Sequence, residues 1–205
     1  MRLPVRSHDE KAAVIIETAQ RRFGLYGIEK TTMREIAGDL NMTKGSLYYY
    51  FPDKENLYKA VVDKEQSEFI KVLYNDLQNT DDPVEGIKRY VLNRLHYFKT
   101  MVNLSRLRAE TFSEYKPLIA DSVMRFRENE MKIILEFLEK GKSKGIFHVD
   151  DPSETASLFL DLLRGLRSAV LTDKKLLIID EDEFRIMADK AMKFTVIFIN
   201  GIKKN

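Results

Sequence analysis

The 205-residue sequence predicts an all-α fold: an N-terminal three-helix helix-turn-helix unit followed by a larger helical domain. Three observations predict it. Apolar residues recur at intervals of three and four along most of the chain, and no segment alternates with the period of two expected of a half-buried strand. Capping residues and turn clusters cut this pattern into helix-length pieces. In residues 32–55, TMREIAGDLNMTKGSLYYYFPDKE, two of those pieces are short and joined by a tight turn. The spacing divides the chain into residues 8–55 and 56–205.

Residues 1–8 read as a frayed arm carrying Arg2 and Arg6. A first helix is predicted from Asp9 to Tyr26, with Ala12, Ile15, Ile16, Ala19 and Phe23 as its apolar stripe and Gly27 as its stop. Thr32 and Glu35 form a capping box that starts the second helix, whose inner face is Met33, Ile36, Ala37 and Leu40. Asn41 follows, a residue that tolerates the left-handed conformation ending many helices. Thr43 caps the third helix, Leu47, Tyr50 and Phe51 face inward, and Pro52 stops it. Asp53 caps a long fourth helix, Lys54 to about Gln78, with Leu57, Val61, Ile70, Leu73 and Leu77 inward.

After the turn Asn79–Pro83, a helix to about Val102 carries Ile87, Val91, Leu95, Phe98 and Val102 on one face, with Tyr90, Tyr97 and Met101 as a second stripe. A short helix is expected over Leu104–Glu114, then one from Pro117 to about Lys142 that buries Ile119, Val123, Phe126, Ile133, Phe137 and Leu138 and ends at Gly141 and Gly145. Asp151-Pro152 opens a helix to about Leu171, and the last runs from Glu181 to Lys203. The apolar run Leu176–Ile179 reads as a buried loop. In the last helix, residues 191–202 (AMKFTVIFINGI) are apolar on more than one side, so one side is expected to meet a second copy. Phe194 and Phe198, with Gly165, Ser168 and Ala169 on the preceding helix, are the expected dimer interface.

Several classes of chemistry fall away. Without cysteine there are no disulfides, thiolate metal sites or cysteine nucleophiles. Gly141-Lys142-Ser143 ends like a P-loop, but Glu136 stands where that loop needs glycine. His8, His96 and His148 lack metal-ligand spacing. The expectation is therefore no enzyme, no metal and no cofactor. The first residues lack the apolar run of a signal peptide, and no stretch reaches the roughly 20 apolar residues of a membrane span, so a soluble cytoplasmic protein is expected. Residues 1–60 hold 10 Lys and Arg against 8 Asp and Glu, a net +2; the rest hold 24 against 24.

The third helix leaves Thr43, Lys44, Ser46, Tyr48 and Tyr49 outside, and residues 41–52 contain no acid. Donors, rings and a cation on one acid-free face suit double-stranded DNA. A plain amphipathic hairpin with a tyrosine-rich surface explains the same pattern.

Residues 10–60 resemble the DNA-binding domain of the tetracycline-repressor (TetR) family of bacterial transcription regulators. The resemblance lies in Ala19, Phe23, Gly27, Thr32, Ile36, Ala37, the run Thr43-Lys44-Gly45-Ser46-Leu47-Tyr48-Tyr49-Tyr50-Phe51, and Lys54-Glu55. Asn41-Met42 stands where that family often has Gly-Val, and Tyr49 where it often has His. The resemblance implies a dimeric regulator, a repressor released from an inverted-repeat operator by a small-molecule effector, with a ligand-binding and dimerisation domain after the helix-turn-helix unit. It places Thr32, Thr43, Lys44, Tyr49 and Lys54 on phosphates, and Gly45, Ser46 and Tyr48 against the major groove. Tyr90, His96, Tyr97 and Met101 are the candidate lining of the ligand pocket, and Arg106, Arg108 and Arg127 are candidate partners for an acidic ligand. The competing expectation is a helical ligand-binding module or enzyme whose N-terminal hairpin docks protein.

Overall fold

Caps decide where the helices begin. The computed structural model describes residues 7–105, 113–172, 175 and 178–204. Helix α1 (His8–Tyr26) starts one residue before the expected Asp9, because Ser7 and Glu10 form a capping box. It ends at Gly27, whose φ of 81° an L side chain rarely adopts. Helix α2 (Met33–Asp39) starts from the Thr32–Glu35 capping box. It closes by donation from Met42 N to Ala37 O (2.9 Å) and from Asn41 N to Gly38 O (3.1 Å), with Asn41 left-handed at φ 51°. Helix α3 (Lys44–Tyr50) is capped by Thr43, and α4 (Lys54–Leu77) by Asp53, which accepts from Asn56 N at 2.6 Å.

Helix α5 spans Pro83–Ser105, α6 Ala120–Ser143, α7 Pro152–Leu171 and α8 Glu181–Ile202. Helix α6 starts three residues after Pro117 because residues 116–119 form a turn with no side-chain cap. Asp151 caps α7, and Asp180 with Glu183 makes a capping box for α8. An isolated antiparallel bridge, Phe147 to Lys203, ties the loop after α6 to the end of α8. The expected helix Leu104–Glu114 lies largely outside the described residues, as do Arg2, Arg6, Leu176 and Leu177. No described helix is long and apolar enough to cross a membrane.

Two apolar cores organise these helices. The first takes Ile15, Ala19 and Phe23 from α1, Ile36 and Ala37 from α2, Leu47 from α3, and Leu57, Tyr58, Val61 and Val62 from α4; Ile119, just before α6, completes it. The second joins Leu73 and Leu77 of α4 to the apolar faces of α5–α8. Helix α4 therefore belongs to both.

Five expected positions move. Tyr50 and Phe51 are half-buried rather than buried, since so small a unit has room for one α3 side chain, Leu47, in its centre. Val123 is exposed; the inward line of α6 runs through Ser122, Phe126 and Glu130 instead. Phe194 and Phe198 turn inward onto Phe159, with ring centroids 5.7 and 4.6 Å away, so they pack within the protomer. The apolar residues left outside on α7 and α8 are Leu158, Leu162, Ile186, Val196 and Ile197. Gly165, Ser168 and Ala169 are exposed.

Candidate nucleic-acid interface and effector domain

Leu47 anchors α3 in the first core and so fixes which side faces out. Thr43, Lys44, Gly45, Ser46, Tyr48 and Tyr49 are all exposed, Tyr49 at 74%. The Lys44 ammonium lies 5.3 Å from the Tyr48 ring centroid. His8 packs edge-on to Tyr49 and against Tyr50 at 4.7 Å, bracing the end of α3. A Cβ added at Gly45 would meet nothing within 4 Å, so nothing inside the molecule requires glycine there. Its missing side chain leaves room for an approaching surface.

Other expected contacts are occupied internally. The Thr32 hydroxyl accepts from Glu35 N and donates to the Glu35 carboxylate at 2.8 Å. Lys54 donates to Ile28 O at 3.0 Å, tying the start of α4 to the loop after α1. The structure therefore gathers Thr43–Tyr49 into one surface and holds Thr32 and Lys54 in structural bonds.

The two acids of α2 are turned to internal use. Arg22 grips Asp39 with Nε and Nη2 at 2.5 and 2.9 Å, and its Nη1 lies 3.6 Å from Glu35. Hydrogen bonds from Arg22 hold the Asp39 carboxyl below its ordinary range; bonds from Thr32 do the same for Glu35. Arg34 has a different setting: with Ala37, Gly38, Met42 and Lys44 it lines a cleft of about 480 Å³ between α2 and α3. A cation in a helix's first turn opposes the helix dipole, and that was the sequence signal for Arg34.

In the larger domain the four expected pocket residues do not gather. Tyr90 is fully buried and donates to Glu130 Oε1 at 2.7 Å. His96 lies about 120° round the helix from Tyr90, is exposed, and packs on Phe184 at 4.7 Å. Tyr97 stacks on Phe69 (4.0 Å) and Phe126 (5.7 Å) in a three-ring cluster. His96 and Tyr97 share a cleft of about 250 Å³ with Phe69, Val72 and Asn93; Met101 does not line it. Arg127 is engaged by Asp161 at 2.8 Å and Ser157 at 3.1 Å, while Arg106 and Arg108 lie outside the described residues.

The sequence reading missed the buried polar centre. Arg94 pairs with Glu130 through Nε and Nη2, on the carboxylate that also receives the Tyr90 hydroxyl. Burial pulls Arg94 down, but the Glu130 carboxylate outweighs it and the net shift is upward; burial pushes the Tyr90 phenol well up. The available signal was a charged residue inside an apolar stripe, Arg94 between Val91 and Phe98 and Glu130 between Phe126 and Ile133. Among the described residues no group of His, Asp and Glu could hold a metal ion.

A helix-turn-helix with an acid-free outer face, joined to an all-helical second domain, fits a DNA-binding transcription regulator. Residues 15–61 match the family of bacterial regulatory proteins called tetR. A transcriptional regulator from Cytophaga hutchinsonii is 35% identical, with 95% of this chain and 99% of that one covered and a TM-score of 0.85. The negative regulator IcaR of the biofilm operon icaADBC in Staphylococcus epidermidis is 28% identical over 148 residues, 61% of this chain and 78% of that protein. A regulator from Saccharomonospora viridis, solved in complex with choline, shares the fold at 21% identity and a TM-score of 0.68, with 97% and 100% covered. The chain belongs to the TetR family of bacterial transcription regulators. It is a regulator, not an enzyme.

Proposed function

We propose that the protein is a cytoplasmic homodimeric repressor that binds an inverted-repeat operator and is released by a small molecule held in its larger domain. The observation that carries the DNA part is the exposed surface Thr43–Tyr49, where an open Gly45 stands between donors and no acid intrudes. Thr43, Lys44 and Tyr49 serve phosphates; Gly45, Ser46 and Tyr48 lie against base edges or sugar. Arg34 joins them from α2. Thr32 and Lys54 reach the backbone only by exchanging their internal bonds for phosphate, so their contribution is smaller.

Dimerisation is supported by the apolar residues that α7 and α8 leave outside. Leu158, Leu162 and Gly165 recur on one line of α7, and Ile197 is 70% exposed on α8. A two-fold dimer would set two α3 helices about 34 Å or a multiple apart. The choline-bound relative supports a small-molecule effector for this fold.

A gel shift against DNA selected from a random pool tests the reading. Lys44→Ala and Arg34→Ala should each weaken binding to all sequences and reduce the slope of affinity against salt by about one. Unchanged salt dependence in both variants would move the interface off α3.

A further inference from the structure

Among the described residues no carboxylate forms an ion pair with Arg167 of α7. It senses Arg94, Glu130 and Tyr90, the polar centre between α5 and α6. Among the described residues that centre holds one carboxylate, already bound three times: Glu130 Oε1 accepts from Tyr90 and Arg94, and Oε2 from Arg94 Nη2 at 3.3 Å. Two guanidiniums against one carboxylate leave a net charge of +1. Among the described residues Arg167 makes no hydrogen bond; its contact is the Phe98 ring, 4.6 Å from guanidinium carbon to centroid. Five N–H donors are left unused.

Partial burial of a charge that no carboxylate pairs with costs free energy, although the guanidinium nitrogens here keep contact with water. Arginine cannot escape the cost by losing its proton. Burial, then the like charge of Arg94, pull its pKa down to about 10, which still leaves it charged at neutral pH. Protein surrounds Arg167 on most sides, yet its side chain stays partly accessible to water.

We infer that the effector is an organic monocarboxylate with an apolar body, and that Arg167 binds its carboxylate. The inference rests on the effector reading above and adds the chemistry of the effector. A planar guanidinium fork matches a carboxylate with two parallel bonds. One excess charge suits a monoanion; a phosphate dianion would call for a second free cation, and Arg94 is committed to Glu130. Phe98, half-buried beside the guanidinium, supplies apolar surface for the body.

The test is thermal denaturation and operator release with the full chain. Sodium octanoate and sodium benzoate are compared with 1-octanol, benzyl alcohol and sodium chloride at matched ionic strength. At least one acid should raise the Tm of the wild type and release DNA, and its alcohol should not. Arg167→Met should need at least roughly tenfold more acid, the worth of a lost charge-assisted pair. Without additives Arg167→Met should be at least as stable as the wild type, because it removes a half-buried charge that no described carboxylate pairs with. A destabilised Arg167→Met would instead assign Arg167 to packing on Phe98 and overturn the inference. Acids that shift neither protein, or both alike, overturn it too. Release by the alcohols in both proteins would overturn the carboxylate site while leaving effector control standing.

Discussion

Asn41 carries the turn between α2 and α3 at φ 51°, where most side chains are strained. Asn41→Gly should leave stability within a few tenths of a kcal/mol, whereas Asn41→Val should cost about 1–2 kcal/mol, read by urea denaturation. The residue was legible in the sequence because its position after Leu40 and before the Thr43 cap leaves two residues for the turn. The outward set Thr43–Tyr49 was legible for a related reason: Leu47 is apolar, its helical neighbours are polar or aromatic, and spacing alone orients them. Lys54 was not. Nothing in its neighbours says that its ammonium bends back to Ile28 O, because that carbonyl lies 26 residues away in sequence. Arg167 is hidden for the same reason: its isolation depends on Glu130 already being taken by groups from α5.

Among the elements, α4 contributes side chains to both cores. Its middle carries a polar cluster: Gln20 of α1 donates to Glu65 at 3.0 Å, and Lys64 reaches Gln20 Oε1 at 3.1 Å and Glu68 at 2.7 Å. Burial lifts the Glu65 carboxyl from 4.5 to about 7, with the Gln20 bond opposing the lift. Between those values the folded chain holds a proton that the unfolded chain has released. The stabilisation is full below about pH 4.5 and is lost as pH rises through about 7. Glu65→Gln keeps the shape and removes the titration, so its stability relative to the wild type should grow from pH 5 to pH 8 in chemical denaturation. Periodicity gave the extent of α4 and its inner residues, but not Tyr58 and Val62, since a helix packed on two sides has no single stripe. The same ambiguity placed Phe194 and Phe198 at an interface: in a helix apolar nearly all round, the pattern cannot tell which apolar side meets the chain's own core.

Over the whole molecule, that inward turn of the phenylalanines shifts the proposed two-fold contact to Leu158, Leu162, Val196 and Ile197. Ile197→Glu should give folded monomers by light scattering, with DNA affinity falling because the two half-sites are then read independently. Phe198→Glu, by contrast, places a charge against Phe159 and should destabilise the fold itself, by roughly 3 kcal/mol or more. The pair separates assembly from folding, and circular dichroism beside the scattering tells them apart.

The first core is closed by Ile119, 7% exposed, a residue that belongs to the chain leading into α6. Tyr115 accompanies it, edge-on to Tyr58 at 5.2 Å with its hydroxyl 3.4 Å from Glu55. Hybrid regulators are made by grafting one protein's DNA-reading end onto another's sensing end. A graft cut anywhere in α4 would here leave behind the side chain that seals the donated unit, opening a gap in its apolar core. The transplantable module is thus discontinuous in sequence: the N-terminal helices together with a short stretch more than fifty residues downstream of α3. A working chimera has to import Tyr115 and Ile119 along with the helices they cover.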